Sequence, residues 1–239
     1  MSQGDELAGR TALVTGASRG IGRSVAESLA RAGAHVWCLA RSTEAVRGLA
    51  TQIGGEPLVV DLADDAAVWD GLDTLCDQLG HAPDIVVNAA GVFGIESFAA
   101  ETLNAFDQNL TVNLRGPFVV LRTLLPRMLE RGDGVIVNIG SIAGRQAFPG
   151  NAAYSASKYG LRGLHEVLLE ETRGTGVRAT LLEPAATDTS LWDELDPDQN
   201  PGLPDRAGML RAEDVAQSVL FVVTRPPSVR IPALQIEHS

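Results

Sequence analysis

Cysteine is almost absent. The 239 residues contain two, Cys38 and Cys76, which excludes a disulfide framework. Both stand in apolar segments, so two reduced, buried thiols are expected. Apolar runs are short. Stretches such as Leu220–Val223 fall far below the roughly 20 residues a membrane helix needs. Met1–Arg10 is polar and acidic and lacks the apolar stretch of a secretory leader. Basic residues are the minority, 19 Lys+Arg against 30 Asp+Glu, giving a net charge of −11. No basic stripe is available for a phosphate backbone, which argues against nucleic acid as a partner. Histidines are few and scattered: His35, His81, His165 and His238 have no acidic or cysteine partner at ligand spacing, so no metal site is expected. A cytoplasmic protein without a membrane partner follows as the expectation.

What the chain does contain is apolar residues, 45% of the total and spread evenly. That excludes disorder, and one domain of this length can bury about 70–75% of its unfolded surface. Short β-rich runs at Thr11–Thr15, Val36–Ala40, Pro57–Val60, Asp84–Val87, Val135–Ile139, Val177–Leu182 and Arg230–Ile236 read as strands. Helical periodicity lies between them. It begins with Ile21, Val25 and Leu29, closed by Gly33, and continues over Thr43–Thr51 with Ser42 as its N-cap. Further helices are read at Asp65–Leu79, at Leu103–Glu130 with a break near Gly116-Pro117, at Ser155–Thr172 and at Glu213–Val223. Strands apolar on both faces, alternating with amphipathic helices, predict an α/β fold. Its core would be a doubly wound parallel sheet of about seven strands with helices on both faces. Residues 1–239 read as a single domain. Within it Thr187–Gly208, with three prolines and six acidic residues, reads as a lid.

The first chemical motif is Thr15-Gly16-Ala17-Ser18-Arg19-Gly20-Ile21-Gly22, which leaves a strand and opens a helix. Gly16 permits a tight turn, and Gly20 and Gly22 allow close approach of backbone to a pyrophosphate at a helix N-terminus. The next strand ends Leu39-Ala40-Arg41-Ser42, without the carboxylate that accepts a ribose 2′-hydroxyl in many dinucleotide sites. Arg41 and Arg19 could instead clamp a 2′-phosphate, or be two solvated surface arginines.

The second motif is Tyr154-Ser155-Ala156-Ser157-Lys158. On a helix the i and i+4 positions share a face, and an adjacent cation lowers the pKa of a phenol. Ser141 follows the strand Val135–Ile139, at the carboxyl edge where such sheets bind ligands. Its hydroxyl could hold a carbonyl oxygen.

Together these motifs resemble the short-chain dehydrogenase/reductase family, in its compact, NADP-preferring form, from about Arg10 to Ile236. Asp61, Asn88-Ala89-Ala90-Gly91, Asn113 and Pro184-Ala185-Ala186-Thr187-Asp188-Thr189 complete the pattern. The resemblance implies a Rossmann-type sheet and an NADP(H) cofactor. It implies that Tyr154 is the acid in carbonyl reduction and the base in alcohol oxidation. Ser141 would orient the reacting oxygen, Lys158 would hold the nicotinamide ribose, and Asn113 would anchor a relay water. Cofactor contacts would come from Gly16, Ser18, Arg19, Gly20, Ile21, Gly22 and Arg41, with Asp61 and Leu62 at the adenine. Asn88, Ala89 and Gly91 would lie beside the cofactor, with Tyr154, Lys158, Pro184, Thr187 and Thr189 at its nicotinamide end. Ala185 departs from the family's Pro-Gly, which would strain the loop if that glycine uses a positive φ.

The resemblance also implies a small carbonyl or alcohol substrate and a homotetramer or homodimer. Leu161, Leu164, Leu168 and Leu169 are more leucine than one buried stripe requires. Three alternatives stand beside a free-ketone reductase: reduction of a ketoacyl group on a carrier protein, a silent NADP-binding sensor, and a lyase or epimerase. The carrier reading is disfavoured by the acidic Glu130, Asp133, Glu170 and Glu171, since an acidic carrier needs cations to dock. The sensor reading is disfavoured by the full catalytic set. The third reading usually needs an extra C-terminal domain, for which no room is expected after Ile236.

Overall fold

The computed structural model describes residues 5–239. The chain begins with β1 (Thr11–Thr15), α1 (Gly20–Arg31), β2 (His35–Ala40), α2 (Thr43–Ile53) and β3 (Glu56–Val59). Next come α3 (Asp65–Leu79), β4 (Ile85–Asn88) and α4 (Leu103–Leu110), which passes through a π-turn at Thr111–Arg115 into α5 (Gly116–Arg131). The second half runs β5 (Gly134–Ile139), α6 (Ala152–Glu171), β6 (Val177–Pro184) and β7 (Thr187–Asp188). Three 3-10 turns then lead to β8 (Leu210–Arg211), α7 (Ala212–Val223) and β9 (Ala233–Ile236).

Seven strands form one parallel sheet in the order β3-β2-β1-β4-β5-β6-β9. Side chains alternate across it. Ala12 and Val14 of β1 join Val25 and Leu29 of α1 and Val215 and Val219 of α7 in one core. Leu13 faces the other way, with Leu72 and Leu75 of α3, Leu124 and Met128 of α5 and Leu168 of α6. The sheet is buried on both faces, as its continuous apolar strands require. Winding reverses between β1 and β4, which opens a crevice at their carboxyl ends. Cys38 and Cys76 are buried free thiols, and burial raises the Cys38 pKa to about 12. Among the described residues no helix is long and apolar enough to cross a membrane.

Three local readings need correction. Gly116-Pro117 does not break the helix: the π-turn leads directly into α5, with Pro117 in its first turn, where a missing N–H costs little. Ser42 occupies the N-cap of α2, but its side chain makes no capping bond. The last strand is shorter than expected, Ala233–Ile236, because Pro232 cannot donate to a ladder and its carbonyl goes to Leu181 N–H at 3.0 Å. The leucine argument for a subunit contact also changes. Leu161 and Leu168 are buried and Leu164 and Leu169 half-buried; Tyr159 and Val167 are the exposed apolar residues of α6.

Candidate active site

The glycine turn is pressed into the crevice. Gly16 has φ +69°, and a Cβ there would lie 2.6 Å from Ala90 Cα. A Cβ on Gly22 would lie 2.4 Å from the Gly16 carbonyl oxygen. Gly20, with φ +53°, faces the Thr189 methyl, so the segment after β6 folds back onto the turn. Thr15 Oγ1 accepts from Ala89 N–H at 3.1 Å and from Ala90 N–H at 3.2 Å, which joins the turn to the Asn88–Gly91 loop. Among the described residues no side chain caps α1, leaving its N-terminal donors to whatever enters the crevice. Ser18 and Ile21 are half-buried in the turn. Arg19 and Arg41 are exposed, and neither has a side-chain partner among the described residues.

Asp61 is exposed after β3 and accepts from Ala63 N–H at 3.0 Å, while Leu62 is buried against Gly116. Asn88 donates to Asn138 Oδ1 at 2.8 Å, but its own Oδ1 is buried without a protein partner. The chain of amides continues to His165. Asn138 Nδ2 donates to Nδ1 at 3.2 Å, and Nε2 donates to the Pro232 carbonyl at 3.0 Å. A neutral imidazole satisfies both partners, and burial lowers the His165 pKa to about 4. His165 is therefore a core residue.

Ser141 and Tyr154 meet at the carboxyl edge of β5. Ser141 Oγ accepts from Ala143 N–H at 3.1 Å, and its side chain stands near enough to Tyr154, in the first turn of α6, to favour the phenolate. Lys158 is buried, with Nζ 5.6 Å from the Tyr154 ring centre, and donates to the Ile139 carbonyl at 2.9 Å. Burial lowers the Lys158 pKa to about 8. The Tyr154 pKa is raised by burial, opposed by the nearby Ser141 side chain. This departs from the expected lowering by the lysine, because loss of water dominates the phenol.

Asn113 sits in the π-turn. Its Oδ1 accepts from Val92 N–H at 2.8 Å and lies close to Gly91. Its two Nδ2 hydrogens are shared among Val92 O at 2.9 Å, Ser157 Oγ at 3.0 Å and Asn109 Oδ1 at 3.2 Å. Every hydrogen-bonding group of this amide is taken by protein. Pro184 ends β6, Thr187 Oγ1 donates to the Ala185 carbonyl at 3.0 Å, and Ala185 N–H donates to Ile236 O at 2.9 Å. Among the described residues Asp196 is the only non-glycine with positive φ, so Ala185 carries no strain.

Residues 10–200 match the profile of the short chain dehydrogenase family. The chain belongs to the short-chain dehydrogenase/reductase family of oxidoreductases. It is 37% identical over 196 residues to D-threitol dehydrogenase of Mycolicibacterium smegmatis, covering 78% of this chain and 75% of that protein. It is 36% identical over 239 residues to glycine betaine reductase of Emericella nidulans; the match covers 97% of this chain but only 19% of that much longer protein. Its fold is similar to a metagenomic short-chain oxidoreductase solved in complex with NADP, with TM-score 0.83 and 31% identity over 98% of this chain and 99% of that one.

Within this dehydrogenase/reductase frame, several residues near the site escape the sequence reading. Phe93 packs edge-on against Tyr154, with ring centres 4.9 Å apart, and Trp192 tilts onto Phe93 at 4.8 Å. Trp192 lies in the segment Thr187–Gly208 that reads as a lid; Phe93 follows Asn88–Gly91 by two positions but carries no motif of its own. Glu183 is only 1% exposed, bonded to Arg162 at 3.0 Å with Arg145 at 3.9 Å. Its position at the end of an apolar strand gives no signal until the two arginines, remote in sequence, are brought to it. The acidic segment Thr187–Gly208 is clasped by Arg206, which pairs with Asp188 and, at 2.7 Å, with Asp193.

Proposed function

We propose that this chain is a cytoplasmic, NADP(H)-dependent oxidoreductase that interconverts a small ketone or aldehyde with its alcohol. The observation carrying this reading is the grouping of Ser141 and Tyr154 with buried Lys158, whose Nζ lies 5.6 Å from the phenol ring centre, at the mouth of a cradle that side chains at Gly16 and Gly22 would fill. The orphaned Asn88 Oδ1, the uncapped α1 and the unpaired Arg19 and Arg41 fit a dinucleotide phosphate at that cradle. Gly16, Ser18, Gly20, Ile21 and Gly22 would hold the pyrophosphate, Arg19 and Arg41 the 2′-phosphate, and Asp61 and Leu62 the adenine. Ala89, Gly91, Pro184, Thr187 and Thr189 would border the nicotinamide end. The cofactor supplies or accepts the hydride.

The protein supplies the proton. Raised by burial, the Tyr154 phenol is protonated at neutral pH and can donate to the carbonyl oxygen as hydride reaches its carbon. Ser141 donates a second hydrogen bond to that oxygen. Lys158 keeps a positive charge near the phenolate that remains. The Asn113 amide braces the π-turn, so a relay water there would rest on main-chain carbonyls. Carrier-protein reduction is disfavoured further by two arginines. Arg131 donates to the Ala82, Pro83 and Asp133 carbonyls, and Arg173 pairs with Glu170. Exposed Phe118, Tyr159 and Val167 on α5 and α6 support assembly into a homodimer or homotetramer. The segment Thr187–Gly208 acts as a lid whose net negative charge disfavours carboxylate substrates.

The test is oxidation of NADPH by purified protein against a panel of neutral ketones and aldehydes, with alcohol formed in equal amount. Binding of NADPH with no turnover of any carbonyl would favour the sensor reading. Product without net cofactor oxidation would favour the lyase or epimerase.

A further inference from the structure

Resting on the oxidoreductase reading, we infer that Phe93 and Trp192 form an aromatic wall beside Tyr154 that selects neutral carbonyl substrates bearing an apolar or aromatic ring. Three rings from three separate segments meet there. Phe93 comes from the loop after β4, Tyr154 from α6 and Trp192 from the turn after β7. The wall is held in place: Trp192 Nε1 donates to the Thr187 carbonyl at 3.1 Å, on the short strand β7 that pairs with β8. Phe93 is held from behind by its neighbour Val92, both of whose backbone groups bond to Asn113. Both rings remain half-buried rather than sealed, so an apolar surface stands open beside the reacting hydroxyls.

Charge accounting disfavours an anionic substrate. Five cations stand on the segments that bear Ser141, Tyr154, Phe93 and Trp192, and each has a partner: Lys158 with Ile139 O, Arg145 and Arg162 with Glu183, Arg206 with Asp188 and Asp193, Arg211 with Asp214. On these segments, among the described residues, each guanidinium already faces a carboxylate. The loop after β4 adds only acids, Glu96 and Glu101. A polyhydroxylated substrate fits no better, because a ring face offers its hydroxyls no hydrogen bond and strips their water. A flat apolar group can stack there in offset or edge-on geometry.

Three probes separate these chemistries: acetophenone, erythrulose and phenylglyoxylate. With the NADP+-loaded protein none of the three can be reduced, so calorimetry reads binding apart from turnover. Acetophenone should bind at least tenfold more tightly than either of the others, and Trp192→Ala or Phe93→Ala should remove about tenfold of that preference. Phe93→Leu should retain most of it. With NADPH the same order should appear in kcat/KM, the wall variants raising KM for acetophenone more than they lower kcat. Erythrulose or phenylglyoxylate binding as tightly as acetophenone would overturn the inference, and so would unchanged discrimination in both alanine variants. Loss of turnover with the binding order intact would count against hydride transfer alone.

Discussion

Asn113 and Ser157 are joined by a hydrogen bond of 3.0 Å from Nδ2 to Oγ, and the Ser157 hydroxyl passes on to the Tyr154 carbonyl at 2.7 Å. One amide thus links the π-turn to the helix that carries Tyr154 and Lys158, and the same amide bonds both backbone groups of Val92. Loops after β4 and the first turns of α6 are held by a single side chain at the centre of the site.

Asn113→Ala should therefore act on stability and rate together. Leaving Val92 without partners costs about 1–3 kcal/mol. Denaturant unfolding should show that loss, and kcat should fall more than NADPH affinity. Unchanged unfolding in this variant would mean the amide is not a brace.

Lys158→Met should stabilise the free protein. Burial holds the ammonium's pKa at about 8 against the usual 10.5, so below pH 8 the folded state carries a charge it disfavours. Between pH 8 and 10.5 the unfolded state binds more protons, so stability rises with pH and the penalty is relieved. Methionine removes the penalty at all pH values, a gain of about 1–3 kcal/mol at neutral pH after loss of the Ile139 bond. Thermal unfolding at neutral pH and at pH 11 checks the sign, with the gain confined to the lower pH.

His165 should make the fold acid-sensitive. Its pKa falls from 6.5 to about 4 on folding, so the unfolded state binds the extra proton between those values. Stability is full above pH 6.5 and declines toward pH 4, by about 3 kcal/mol from this residue. His165→Gln should flatten that part of the profile, measured by urea unfolding across the range.

Much of this was legible locally. Thr11–Thr15 reads as a strand because it is a short β-rich run, and every residue after the first is indeed buried; Tyr154 and Lys158 read as a pair because four residues of helix place them on one face. Non-local chemistry was not legible. Gly116-Pro117 carries the signal of a helix break, and only the π-turn accommodates it. Glu183-Pro184 looks like the exit from an apolar strand, yet β6 continues because Arg162 neutralises the carboxylate. The fall in the Tyr154 hydroxyl's hydration, which reverses the expected shift, depends on packing that no spacing reveals.

Cofactor preference should follow Arg41. A charged hydrogen bond contributes about 1.5–3 kcal/mol, so wild type should favour NADPH over NADH by about ten- to a hundredfold in kcat/KM. Ala40→Asp/Arg41→Ala should reverse or erase that ratio, because a carboxylate repels the 2′-phosphate and accepts from a ribose hydroxyl. Retention of the original ratio would leave Arg41 a surface residue.

Proton donation by Tyr154 is the central claim, and single-turnover transfer from deuterium-labelled NADPH to a neutral ketone tests it most directly. Tyr154→Phe keeps the ring that Phe93 packs against and removes only the hydroxyl. The variant should bind NADPH as wild type does and transfer deuterium about 10²–10⁴-fold more slowly. Transfer at the wild-type rate would contradict the mechanism.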